Sequence, residues 1–361
     1  MQKKLIALAV ASLVSAPVFA QSQVSVYGIV DQAIDSGNYG AGNVTRLTGS
    51  GYNTERLGFK GTEDLGNGMK ANFVLELGQR TDTGMLDNTS NQLFQRASTV
   101  GLSGGWGSVN FGRQYTPLFS VQGANDLFYV AGVGSVYSLT NIGQTRMNNS
   151  IRYDSADFSG FTFAAGYALG DTGVAGSYQE ATLDQKSQGR HTGLNVRYAN
   201  GPLAAGLGWS SQKANTASAA YSAASLLTTK TTNLIGSYDF KVVKINAGWQ
   251  QSKNDASPVS FDMRVWNLGA SMPVFGKDLI KFHYVNAHNK LAGSSDAKLL
   301  ALGYEHPMSK RTTLYGTWAK MTNDSAAAFT LFGAPAVTSN IGGANAGYDP
   351  SSLQVGISHK F

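Results

Sequence analysis

From residue 21 onward, apolar and polar side chains alternate with a period of two along most of the chain. That period places successive side chains on opposite faces of a β-strand. The clearest case runs from Met69: Met69, Ala71, Phe73, Leu75 and Leu77 alternate with Lys70, Asn72, Val74 and Glu76. In the first predicted strand Val24, Val26, Gly28 and Val30 share one face, with Ser25, Tyr27 and Asp31 on the other. Leu57 and Phe59 oppose Arg56 and Lys60 in the second, over 54–61. The last strand carries Leu353, Val355, Ile357, His359 and Phe361 and ends at the final residue. So apolar an unpaired edge invites aggregation. The pattern predicts that the first strand pairs with the last and closes a barrel. The plain alternative is the edge strand of a soluble sheet.

Turn signals divide the chain into sixteen predicted strands, and the connections alternate in length. Short ones fall at Asp64-Leu65, Gly104-Gly105, Ser159-Gly160, Gly201-Pro202, Lys241, 274–278 and 307–310. Long ones span 36–53, 81–91, 116–148, 170–190, 213–230 and 323–350. An even strand count, with short turns on one rim and long loops on the other, is the asymmetry of an outer-membrane barrel. A soluble sandwich has no reason to sort its loops by parity. The fold class predicted is therefore all-β, a 16-stranded antiparallel transmembrane barrel with short periplasmic turns and long extracellular loops. In lipid such closure is required, because every backbone N–H and C=O must be paired. Sixteen strands also leave a lumen too wide for side chains to fill.

Targeting signals agree. A basic start, Met1-Gln-Lys-Lys, precedes an apolar run from Leu5 to Val14 and the small residue Ala20. This reads as a secretory signal peptide over 1–20, leaving a barrel domain over 21–361. No run of about 18 apolar residues follows, so no helical membrane span is predicted. Cysteine is absent, so neither disulfides nor thiolate chemistry are available. The net charge of +6 comes from scattered lysines and arginines, without the basic block of a nucleic-acid binder. It is read here as pore charge.

Several stretches resemble the general porins of Gram-negative outer membranes, of the β-proteobacterial type. They are Val26-Tyr-Gly-Ile-Val-Asp31, Arg56-Leu-Gly-Phe-Lys-Gly-Thr-Glu-Asp-Leu-Gly-Asn-Gly68, Val100-Gly-Leu-Ser-Gly-Gly-Trp-Gly107, Phe111-Gly-Arg-Gln-Tyr-Thr-Pro117, Asn149-Ser-Ile-Arg-Tyr-Asp154 and Val355-Gly-Ile-Ser-His-Lys-Phe361. The resemblance spans the whole chain. It implies a homotrimer in outer-membrane lipid that passes small hydrophilic solutes and inorganic ions passively. It also implies a third loop folded into the lumen, and a terminal strand, ending in Phe361, that the assembly machinery reads. The Pro-Glu-Phe-Gly-Gly sequence of enterobacterial porins is missing from the third loop, where Asn125-Asp-Leu-Phe stands instead.

Strand parity sorts the charges. Arg56, Glu76 and Arg152 point inward, while Ala97, Thr99 and Gly101 give only a weak outer face beside Arg96. With the resemblance, Arg56, Arg96 and Arg152 form a positive wall at the constriction, accompanied by Glu76 and by Asp126 of the third loop. The bland alternative is a solvated lumen face on which Glu76 pairs Arg56 or Arg96. Arg113 shares parity with Val109 and Phe111 and is read as structural, at a rim or subunit interface. Tyr115, Tyr153, Tyr198, Trp209, Trp249 and Phe361 are candidates for interfacial aromatic girdles. His191, His283, His288, His306 and His359 lack metal-ligand spacing, and no nucleophile elbow or phosphate loop occurs. The expectation is a channel rather than an enzyme, with no cofactor, no metal and no nucleic-acid partner. An anion preference follows from the arginines. Competing readings are an outer-membrane enzyme, a blocked structural barrel, and a substrate-specific channel carrying a series of lumenal aromatics.

Overall fold

The computed structural model describes residues 23–40, 42–87, 92–141, 145–170, 189–213, 228–254, 260–290, 293, 295–333 and 346–361. The predicted signal peptide, 1–20, lies outside these. The strands are β1 (Gln23–Asn38), β2 (Asn43–Gly49), β3 (Arg56–Gly66), β4 (Met69–Leu77), β5 (Gln79–Arg80), β6 (Met85–Leu86), β7 (Ala97–Gly104), β8 (Gly107–Tyr115), β9 (Arg146–Ser155) and β10 (Phe161–Ala168). They continue as β11 (His191–Asn200), β12 (Leu203–Lys213), β13 (Thr228–Asp239), β14 (Lys244–Asn254), β15 (Phe261–Val274), β16 (Asp278–Asn289), β17 (Ala297–Pro307), β18 (Thr312–Asn323) and β19 (Ser351–Lys360).

All but the small β5–β6 ribbon belong to one antiparallel sheet that closes on itself. The seam is β1 against β19, from Ile29 opposite Lys360 to Asn38 opposite Ser351. On its other side β1 pairs first with β3 and then with β2, so these two stack end to end as one wall position. The seventeen segments thus make a sixteen-stranded barrel, as the alternation predicts. The difference lies in the first long loop, where β1 runs on to Asn38 and β2 zips beside it. Gly37, Gly40, Gly42, Gly49 and Gly51 dilute the alternation there, which is why the sequence reads as loop.

Closure is completed by the last residue. Phe361 N–H donates to Gly28 O and Gly28 N–H to Phe361 O, both at 3.1 Å. The Phe361 ring lies where a Cβ on Gly28 would sit, 2.3 Å from its Cζ, so the seam needs glycine at that position. Around the short-turn rim, paired rings form a girdle. Trp106 stacks on Tyr153, Phe158 on Phe163, and Tyr238 packs at 4.6 Å on Phe240. Tyr115, by contrast, is not in a girdle, because it turns inward.

The buried apolar core sits inside the lumen. Val265, Val285, Leu299, Ala301, Ala319 and Met321 face inward from β15 to β18 and are covered by Leu127, Phe128, Val133, Val136 and Leu139 of the segment between β8 and β9. That segment, loop 3, contains helices α1 (Pro117–Asn125) and α2 (Tyr137–Thr140). Apolar side chains in a water-filled barrel are stable only under such a cover.

Candidate functional site: the lumen at loop 3

Loop 3 starts at a capped helix. Thr116 Oγ1 accepts the Phe119 N–H at 3.1 Å and Pro117 occupies the first turn, so the chain leaves β8 with its N–H groups satisfied. The loop then follows the inner wall strand by strand. Asn195 on β11 donates to Pro117 O at 2.7 Å, and Gln122 to Gln250 on β14 at 2.6 Å. Asn125 donates to Asn267 on β15 at 2.9 Å, and Lys281 on β16 to Leu127 O at 2.6 Å. Val133 N–H reaches Gln354 on β19.

The wall makes room for this path with glycine. A Cβ on Gly193 of β11 would stand 3.0 Å from Pro117, and one on Gly208 of β12 would stand 3.1 Å from Leu118. On Gly269 of β15 it would be 2.6 Å from Leu127, and on Gly303 of β17 2.7 Å from Phe128. Inward-facing glycines thus form a groove across the strands that carry the loop.

The loop tip is fixed from two sides. Asp126, 5 % exposed, accepts from Phe128 N–H at 2.9 Å, Val130 N–H at 3.0 Å and the Ser135 hydroxyl. Its carboxylate is turned into the loop. Tyr129 and Val130 both have positive φ, uncommon for any side chain and an outlier for a β-branched one. Below the tip Lys281 is ion-paired with Glu305, which also accepts from Tyr52 and Tyr129 hydroxyls at 3.0 and 3.4 Å. The Tyr129 ring lies 3.9 Å from Lys281 Nζ. Beyond it, Gly132 N–H donates to Ser50 O at 3.0 Å, in the break between β2 and β3. Asp31 holds that break open: its carboxylate accepts from Gly51, Tyr52 and Asn53 N–H and from the Tyr315 hydroxyl.

The wall of β3, β4, β7 and the top of β9 carries the opposite chemistry. Glu76 Oε1 accepts from Arg96 Nε at 2.8 Å, and its Oε2 lies 3.9 Å from Arg56 Nη1 and accepts from the Tyr27 hydroxyl at 2.9 Å. Arg96 and Arg146 both donate to the Tyr115 hydroxyl, at 2.8 and 2.7 Å. The Arg146 guanidinium also lies over the Tyr115 ring at 4.3 Å. Arg56, Glu76, Arg96, Tyr115 and Arg146 are therefore one contact chain, with three positive charges against one negative, net +2.

Of the residues singled out from sequence, Arg56, Glu76 and Arg96 are brought together. Arg152 touches them only through the Tyr115 main chain. It is chelated by Asp154, at 2.6 Å for the shortest contact, and braces loop 3 through Tyr115 O and Ser120 Oγ. Asp126 lies inside the loop. Arg113 sits at a register shift in β8, donating to Gln95 O and to Asn148, which turns it off the lipid face that strict alternation assigns. Sequence reasoning passed over Arg146 and assigned Tyr115 to the interfacial girdle instead. Arg146 falls at the end of a long loop with no alternation to orient it. The signal for the loop's seat was present: Leu299-Leu300-Ala301-Leu302 is apolar on both faces, which a strand between lipid and water is not.

Comparison with known proteins agrees with this architecture. Residues 7–326 match the family model for the Gram-negative porins. The chain belongs to that family. It is 38% identical to outer membrane porin protein 32 of Delftia acidovorans, over the full length of both chains. It is 32% identical to the major outer membrane protein P.IB of Neisseria gonorrhoeae over 266 residues, 70% of this chain and 71% of that one. Among solved structures it superposes on an anion-selective porin from Comamonas acidovorans with a TM-score of 0.78 and 36% identity, covering 94% of this chain and all of that one. The trimer form of OmpT from Vibrio cholerae shares the fold at a TM-score of 0.67 and 15% identity. The porin is thus an outer-membrane β-barrel channel.

Proposed function

We propose that this porin passes small hydrophilic solutes and ions passively, with a preference for anions set by Arg56, Arg96 and Arg146. The observation that carries this is the net-positive contact chain on one wall, opposite a loop edge that bears no ionised side chain. A charged wall at a narrow passage draws counter-ions, and the low-dielectric barrel focuses the field. Glu76 spaces the arginines rather than cancelling them. Asp126 and Arg152 hold loop 3 in place. The relative described as an anion-selective porin supports this reading.

No catalytic step and no cofactor enter the reading. The exposed apolar side chains of Val24 and Val26 on β1 and of Val100 on β7, with β3 and β4 between them, suit a homotrimer contact in the lipid. Export by a signal over 1–20 and recognition of Phe361 by the assembly machinery complete it. The test is the zero-current potential of the purified porin in a potassium chloride gradient across a planar bilayer. A potential on the chloride side at low salt, fading as salt screens the wall, is expected. A potential on the potassium side refutes the reading. Conductance rising in steps of three supports the trimer.

A further inference from the structure

The free edge of loop 3 is apolar, and at Phe119 it meets the tyrosine that holds Arg96 and Arg146. Between Thr116 and Asn141 the one ionised side chain is Asp126, which is folded inside. The partly or fully exposed positions on the lumen side include Phe119, Gly123, Ala124, Tyr129 and Val130. They are contiguous: a Cβ on Gly123 would meet Val130 Cγ2 at 3.7 Å and Phe119 Cε1 at 3.9 Å.

A series of rings joins this edge to the charges and to the channel mouth. Phe119 stacks on Tyr115 at 4.6 Å, and Tyr115 is the acceptor shared by Arg96 and Arg146. In the other direction Phe119 meets Tyr137 edge-on at 5.7 Å, and Tyr137 meets Phe332 at 5.5 Å. Phe332 belongs to the last loop, which is tied to loop 3 by its N–H donating to Ser138 Oγ at 2.9 Å. Between α2 and that loop lies a cavity of about 540 Å³ lined by Tyr137, Leu139, Met263, Leu331 and Phe332 among others. Its size and mostly apolar lining with a few polar groups suit a small organic molecule rather than a hydrated ion. Strand parity alone does not find this series, because three of the four rings lie in loops, outside strand alternation.

We propose that the channel selects a class of anion: carboxylates with an apolar, above all aromatic, body. The carboxylate engages Arg146 and Arg56, the two partly exposed guanidinium groups, with Arg96 buried behind them, while the body slides along Phe119, Gly123 and Val130, after collection in the apolar mouth. The Arg146 guanidinium, fixed by Tyr115, offers its remaining N–H donors to the carboxylate oxygens. The apolar edge removes hydrocarbon from water on the other side. This rests on the anion-channel reading above and deepens it.

The test uses the full-length porin in planar bilayers at low potassium chloride. Benzoate and acetate are added separately, and the concentration that halves the chloride current is read for each. Benzoate should block at a concentration lower than acetate by about fivefold or more, roughly 1 kcal/mol at 1.4 kcal/mol per decade. Phe119→Ser should bring the ratio of the two close to one. Val130→Thr, which keeps the branched shape and so the fold, should lower it as well. Equal block by the two acids in the wild type overturns the proposal, and so does a high ratio that neither substitution lowers. The zero-current potential in the same bilayers separates the two readings. A chloride preference with equal block leaves the anion channel standing and removes the aromatic selectivity, whereas a potassium preference removes both.

Discussion

The barrel has two unlike inner walls. From β10 to β19 the strands are lined with glycine, amides and aliphatic side chains, and loop 3 lies on them. From β3 to β7, with the top of β9, the wall is bare of the loop and carries arginine. On the covered side charge is neutralised locally: Lys281 by Glu305, and Asp126 by N–H and hydroxyl donors. On the bare side three guanidinium groups stand with one carboxylate, which touches only Arg56 and Arg96. The same alternation builds both walls, and the difference is what each inward side chain meets. Where it meets chain, burial demands that polar groups be paired. Where it meets water, as Arg56 and Arg146 do in front of the buried Arg96–Glu76 pair, a net charge is tolerated and acts on whatever passes.

The largest effect is expected from emptying the bare wall. Unit charges about 6 Å apart in water interact by about 0.7 kcal/mol, roughly threefold in ion concentration. With opposite effects on anion and cation, each arginine changes the selectivity ratio by about tenfold before screening. The triple variant Arg56→Ala, Arg96→Ala, Arg146→Ala leaves Glu76 alone and should reverse the zero-current potential toward cations. Single changes should move it part of the way, and Arg152→Ala, whose charge Asp154 already offsets, should move it less than any of the three.

The next test attacks the covered wall. Lys281→Met leaves Glu305 buried without its cation, which costs about 3–5 kcal/mol when one partner of a buried pair is removed. Tyr52 and Tyr129 hydroxyls still donate to that carboxylate, so the barrel should assemble while the loop tip loosens. Single-channel records should show a noisier open state, with selectivity weakened but still anionic. A quiet channel of wild-type conductance would mean that the pair does not anchor the loop.

Gly303→Val is milder. Its Cβ falls 2.7 Å from the Phe128 ring, and overpacking of this kind costs about 1–3 kcal/mol. Lifting the loop from its groove widens or narrows the passage beside it, so conductance should change while the sign of selectivity stays. The same change at Gly236 of β13, where a Cβ meets nothing within 4 Å, should leave conductance alone.

The barrel itself was legible in the sequence because lipid and water impose opposite demands on alternate residues, and turn residues mark every reversal. Arg56 and Glu76 were legible for the same reason, since each stands among clear outward neighbours. Arg146, Tyr115 and the seat of Asp126 were not. They lie in or beside loop 3, where contacts are set by a chain crossing the lumen rather than by a period of two. The amides that hold the loop, such as Gln250 and Asn267, look in sequence like any water-facing residue of a pore. The first loop failed likewise, because its glycines carry no side chain to show a face.

The smallest effect is expected at Asp126, and it decides how separate the two walls are. An acid in the third loop, read from sequence, promises a negative charge at the constriction, and its removal would then strengthen anion preference. In the folded loop both its oxygens accept hydrogen bonds, Oδ1 from Phe128 N–H and Oδ2 from Val130 N–H and Ser135. Such bonds stabilise the ionised form and spread its charge over the loop backbone. Asp126→Asn places an amide N–H₂ against one of these donors, so an unmet polar group costs about 1–3 kcal/mol and the tip should fray. The channel should therefore become noisier, with a zero-current potential shifted less than by Arg56→Ala. Should the potential instead move toward anions by as much as one arginine moves it toward cations, the field of Asp126 reaches the passing ion. The covered wall would then contribute to selectivity directly, and the division between a neutral wall and a charged one would fail.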